Sequence, residues 1–134
     1  MRAANWIPIV SAVLAVGCEV GEAAPPTNVV AREVDCGTAA ASLTVDIVDF
    51  AFRPAEISVR AGDVVKWTND GKVMHTVTSG KPGSDDAGDV FDSGDLRTGD
   101  SFCLEFEGSG RATYFCEIHP LVMRGGVVDV APAD

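Results

Sequence analysis

Histidine is scarce in this chain: 134 residues contain two, His75 and His119. Positive charge is scarce as well, with 10 Lys and Arg against 20 Asp and Glu. The net charge of −10 excludes a surface that holds nucleic acid or an anionic membrane through phosphate attraction. Such a surface favours a basic partner at low salt, and it fits equally well general solubility or a salt-adapted source. No comfortable membrane span is present. The longest apolar run, Trp6 to Val16, falls short of the roughly 20 residues that a spanning helix needs. There is no convincing helical periodicity and no internal repeat.

That apolar run has a different meaning. Arg2 and the amino terminus precede it, and small residues follow it to Cys18, the layout of a secretion signal over residues 1–17. Leu14-Ala15-Val16-Gly17-Cys18 resembles a bacterial lipoprotein box in which Cys18 is acylated. Such boxes prefer Leu where Ala15 stands, so ordinary cleavage nearby or a retained anchor stays open. Removing residues 1–17 deletes one cation and no acid, taking the net charge from −10 to −11. Residues 18–41, with Pro25, Pro26 and an Ala-rich stretch, read as a tether. The expected location is outside the cytoplasm: the periplasm or the outer face of the cell membrane, with any membrane contact made through the lipid alone.

Residues 42–134 alternate in short runs broken by Gly and Pro, which predicts an all-β domain, a β-sandwich of about eight strands. Leu43, Val45 and Ile47 alternate, then Val48, Phe50 and Phe52 in the opposite phase; the slip predicts a bulge or a change of sheet near Ile47–Val48. Further strands are expected at Ile57–Val59, from Val65, over Val73–Thr78, at Val90–Phe91, over Phe102–Phe106, over Ala112–Cys116 and over Gly126–Val130. Ser79 to Asp89 is rich in Gly, Ser and Asp and predicts an exposed loop.

Between the last two strands lies Cys116-Glu117-Ile118-His119-Pro120-Leu121-Val122-Met123. A loop can turn a thiolate, an imidazole and a thioether towards one point, whereas a straight strand would alternate them. His75, on a separate strand, can close the set. Thiolate and two imidazoles in a plane with a weak thioether make an electron-transfer copper site. Zinc gains nothing from Met123, and one Cys with two His leaves its tetrahedron short. Met74 should face away from His75 and pack. Singly, each of these residues is an ordinary core Cys, filler Met or structural His; the combination and its spacing carry the reading.

The chain resembles the cupredoxin family, in its plastocyanin, pseudoazurin and amicyanin branch. The resemblance rests on Trp67-Thr68-Asn69, Met74-His75-Thr76-Val77-Thr78, Phe91-Asp92-Ser93-Gly94, Thr113 to Met123, and Gly125-Gly126-Val127-Val128. It implies a Greek-key sandwich, one copper held by His75, Cys116, His119 and Met123, and a monomeric carrier of single electrons rather than an enzyme. It further implies that electrons enter or leave at an exposed edge of His119, where redox partners meet it. Pro120, Leu121 and Val122 either form an apolar rim around that edge or merely close the end of the sandwich. The acidic charge favours basic partners such as a c-type cytochrome. Asp85, Asp86 and Asp89 are either an attraction for such a partner or a solvated loop. Two departures stand out. Three residues separate His119 from Met123, between the two of amicyanins and the four of plastocyanins. Thr76 replaces the usual Asn of plastocyanins, and its hydroxyl is expected to bond across to the cysteine loop.

If Cys18 carries lipid and Cys116 metal, Cys36 and Cys103 remain as a disulfide pair, which an exported protein can keep; two separate free thiols are the alternative. Cys103 should lie opposite the Phe102–Leu104–Phe106 face. A copper nitrite reductase is excluded because no imidazoles remain for a second copper. A binuclear oxidase centre is excluded because the loop has one Cys. A module that holds or delivers copper to an oxidase, and a copper-free adhesion domain, are the competing functions.

Overall fold

The computed structural model describes residues 28–134. The signal peptide, Cys18 and residues 18–27 of the expected tether lie outside the described residues. Eight strands run in order: β1 (Asn28–Val34), β2 (Leu43–Val48), β3 (Ala51–Arg53), β4 (Glu56–Arg60), β5 (Val64–Asn69), β6 (Thr78–Ser79), β7 (Ser101–Phe115) and β8 (Arg124–Ala131). No helix occurs among the described residues.

The strands form two layers that share β7. One sheet follows the order β3-β2-β5-β7-β1, with β2 and β5 parallel. The other follows β6-β7-β8-β4, with β4 and β8 parallel. The sequence suggested two strands, Phe102–Phe106 and Ala112–Cys116, separated by a turn at Gly108 and Gly110. The structure shows one strand of 15 residues instead. Both glycines have positive φ, 78° and 127°, a backbone region closed to most side chains. They let β7 pass from one sheet to the other without stopping. A Cβ on Gly108 would also overlap the carbonyl oxygen of Asn28 on β1.

Three further expectations are corrected. The phase slip at Ile47–Val48 is neither a bulge nor a change of sheet. It is a two-residue hairpin turn, Asp49-Phe50, after which Ile47 pairs with Phe52 and Val48 with Ala51. The strand expected over Val73–Thr78 is reduced to Thr78–Ser79, and Val90–Phe91 is no strand. These segments instead meet other loops through single bridges, His75 with Leu96 and Thr78 with Asp92. Finally, the ordered domain begins before residue 42. β1 lies inside the segment read as a tether and pairs with β7 from Asn28↔Ser109 to Val34↔Cys103. Its pattern escaped notice because only Val29 on it is buried; the partner strand, not its own composition, fixes it.

Cys36, just past β1, is disulfide-bonded to Cys103 on β7. Cys103 is buried, as are Phe102, Leu104 and Phe106 beside it, so both faces of this part of β7 are covered.

Aromatic rings cluster within a core otherwise built mostly of Val, Ile and Leu. Trp67 lies at its centre with ring centroids 5.6 Å from Tyr114, 6.2 Å from Phe102, 6.3 Å from Phe106 and 6.4 Å from Phe91. Phe52 meets Tyr114 edge-on at 4.7 Å. Edge and tilted contacts of this kind add to simple area burial. Gly126 on β8 is required by closeness: a Cβ there would overlap the Tyr114 ring.

Burial pushes the Tyr114 phenol up to about 12, against an ordinary value near 10. The raised value means that the folded state holds the proton. Its contribution is complete below about pH 10 and is lost as pH rises towards 12, by about 3 kcal/mol at most. Tyr114 is the sole tyrosine, so the near-ultraviolet tyrosinate band reports it alone. The folded protein is expected to show almost no band at pH 10.5, where the unfolded chain shows most of its amplitude. Equal bands in the two states would contradict the burial.

Candidate metal centre

His75 sits between β5 and β6, held to Leu96 by paired backbone bonds: His75 N to Leu96 O at 3.1 Å and Leu96 N to His75 O at 2.8 Å. The turn before it is built by Asn69, the last residue of β5 and fully buried. Its Nδ2 donates to the carbonyls of Val73 (2.9 Å) and Leu96 (2.8 Å), and its Oδ1 accepts from Gly71 N at 2.9 Å. One side-chain amide thus replaces the ladder bonds that the strand lacks here. Ser93 does similar work downstream, its Oγ accepting from Val77 N at 2.8 Å.

The other donors come from the β7–β8 connection. Cys116 directly follows β7, and Cys116 N donates to Met123 O at 2.9 Å, closing the loop. Within it, His119 N donates to Cys116 O at 3.2 Å and Met123 N to His119 O at 2.9 Å. These bonds bring the backbone of positions 116, 119 and 123 together. Cys116 and Met123 are buried, while His119 is half-buried.

The Cys116 Sγ lies 3.9 Å from His75 Nδ1 and 3.6 Å from His119 Nδ1. The three donor atoms fall within 4.8 Å of one another. Metal–nitrogen and metal–sulfur bonds of about 2.0 and 2.3 Å meeting at a trigonal angle would separate N from S by about 3.8 Å. The observed spacings bracket that value, so the donor set fits a single ion.

Hydrogen bonds fix the frame around this cluster. Thr76 N donates to Cys116 Sγ at 3.3 Å, and Thr76 Oγ1 accepts from Glu117 N at 2.8 Å. The expected bridge from the Thr76 hydroxyl to the cysteine loop is therefore present. A donor to sulfur from a buried amide stabilises a thiolate in a place that water does not reach.

Two neighbours were missed in the sequence, Asp49 and Phe50, both in the β2–β3 turn. Asp49 Oδ1 lies 2.8 Å from His75 Nε2. Bonds from the Lys72 amide, then from His75, hold the Asp49 carboxyl below the usual carboxylate range. Phe50 meets the His119 ring edge-on at 4.9 Å. With Ile118, Pro120, Leu121 and Val122 it surrounds His119 with apolar surface; Leu121 is 83% exposed and Val122 64%. Met74, expected to pack, is instead exposed at 37%. Asp85, Asp86 and Asp89 stay on the exposed loop and join no donor cluster.

Comparison with known proteins agrees with this geometry. Residues 39–130 match the family of copper binding proteins, plastocyanin/azurin family. The chain is 34% identical to amicyanin-alpha of Methylorubrum extorquens over 89 residues, 66% of this chain and 72% of that protein. It is 31% identical to the chloroplastic plastocyanin of Tetradesmus obliquus over 81 residues, 58% of this chain and 56% of that protein. Among solved structures, a purple cupredoxin from Nitrosopumilus maritimus superposes with a TM-score of 0.59 at 28% identity, covering 67% of this chain and all of the other. With residues 39–130 running through both sheets and the β7–β8 loop, the chain belongs to the plastocyanin/azurin family of copper-binding proteins, the cupredoxins.

Proposed function

We propose that this protein carries single electrons outside the cytoplasm, with one copper held by His75, Cys116, His119 and Met123. The observation that carries the reading is the convergence of Cys116 Sγ with two imidazole Nδ1 atoms at the end of the sandwich. Copper in such a set supplies a one-electron couple whose two oxidation states accept nearly the same ligand positions. The chain's own part is to keep those positions still. β7 and the Asn69-built turn hold the donors from two sides, so little needs to move when the electron passes. His75, Cys116 and Met123 are buried, and only His119 reaches the surface. Its apolar surround is a fitting place for a partner to dock and exclude water. The acidic surface suits a basic partner, such as a c-type cytochrome, with association that slows as salt rises. The Cys36–Cys103 disulfide supports an oxidising compartment, in line with the leader read in residues 1–17; a lipid on Cys18 would keep the carrier at the membrane.

The deciding experiment adds Cu(II) to the metal-free domain and records a visible spectrum through several cycles of reduction and reoxidation. An intense band that returns fully is expected. Absence of the band, or loss of metal to a chelator on each reduction, would sink the carrier reading. Loss on reduction would point to delivery instead.

A second prediction concerns the axial donor. Met123→Leu conserves volume and is expected to cost less than about 1.5 kcal/mol of stability. It should keep the colour and raise the potential, since a sulfur donor that favours Cu(II) is removed. Redox titration of the visible band checks this, and an unchanged potential would remove Met123 from the ligand set.

A further inference from the structure

The two imidazoles of the centre are held differently. His119 stands at the surface against Phe50, by ring contact. His75 is fully buried, and each of its nitrogens faces one group. Nδ1 faces the Cys116 sulfur at 3.9 Å, and Nε2 faces the Asp49 carboxylate at 2.8 Å. A carboxylate has no hydrogen to give, so the proton of a neutral ring in this contact sits on Nε2 and the lone pair on Nδ1.

Asp49 is itself fixed. Its Oδ2 accepts from Lys72 N at 2.8 Å, and its Oδ1 accepts from Val73 N at 3.4 Å. The turn it grips leads straight into His75. Gly71 leaves the room: a Cβ there would overlap Asp49 Oδ1 and come within 3.1 Å of His75 Nε2. The carboxylate, the bare glycine and the two amides form a socket for one ring nitrogen.

We propose that Asp49 is a positioning residue of the copper centre, which fixes the tautomer of His75 before metal arrives and, through that ring, lowers the reduction potential. A carboxylate bonded to the far nitrogen of a ligating imidazole makes the near nitrogen a stronger donor. A stronger donor favours Cu(II) over Cu(I). The negative charge beside the ring acts in the same sense. The inference rests on the ligand set proposed above, and its test separates the two.

The first measurement needs no copper. Nitrogen-15 shifts of the two histidines in the metal-free protein at neutral pH are expected to show His75 as the Nε2–H tautomer and His119 as a mixture. In Asp49→Asn, where an amide faces the ring, His75 is expected to lose that single tautomer. The second measurement is the copper potential. Loss of such an outer partner typically weakens metal binding 10- to 100-fold. Where a tenfold loss falls on Cu(II) alone, the one-electron potential rises by about 59 mV. Gly71→Ala, pressing on the same carboxylate, should shift both readouts in the same direction. Should Asp49→Asn fail to fold, the parent tautomer and Gly71→Ala decide. A His75 carrying its proton on Nδ1 in the metal-free parent overturns the proposal, and so does an unchanged potential in a blue Asp49→Asn. A parent that takes up no copper overturns the ligand set, and this proposal with it.

Discussion

Cys116→Ser is expected to abolish the intense visible band completely while leaving a folded domain. The thiolate is the one donor whose electrons lie close enough to the Cu(II) level to give strong charge-transfer absorption, and a serine hydroxyl does not ionise at neutral pH to replace it. The substitution is small. Cys116 is fully buried, and a hydroxyl there can still accept from Thr76 N, which now bonds to the sulfur at 3.3 Å. Any loss of colour is then chemical, not a consequence of unfolding, and thermal melting of the metal-free variant next to the parent separates the two. Weak Cu(II) binding through the remaining imidazoles is compatible with this expectation; full colour would refute the assignment of the sulfur.

The double replacement Cys36→Ser, Cys103→Ser is expected to cost about 4 kcal/mol, within a measured range of 2–5. The bridge closes a loop with a sequence separation of 67, and opening it returns that much freedom to the unfolded chain. For a domain of this size the midpoint of thermal unfolding should fall by at least roughly 10 °C. The variant keeps Cys116, the free cysteine of the described residues, so copper colour is expected to survive at low temperature. An unchanged midpoint would mean that the backbone ladder from Asn28↔Ser109 to Val34↔Cys103 holds β1 without the bridge.

The four proposed ligands were legible because their chemistry is concentrated. Only two histidines exist, and one eight-residue loop carries the rest. The all-β class was legible from alternation in Leu43–Ile47 and Phe102–Phe106, where half-buried strands leave a period of two. What escaped notice depended on partners distant in sequence. β1 is a strand because β7, some seventy residues later, offers it a ladder. β7 is continuous because two glycines that look like turn formers take up a crossing between sheets. Asp49 reaches His75 across 26 positions, and nothing in the residues around Asp49 announces that contact. The slip in the Ile47–Val48 pattern was the one local trace of the hairpin that places Asp49 and Phe50 at the metal end.

The undivided β7 has a mechanical consequence. One half of the cystine sits near its start, and the metal's thiol comes one residue past its end. Sulfur serves as a rivet at one extremity and, in the proposed copper site, as an electrical contact at the other. A reductant that opens the rivet therefore slackens the beam from the end remote from the contact, so the domain should lose rigidity before it loses its ability to hold charge.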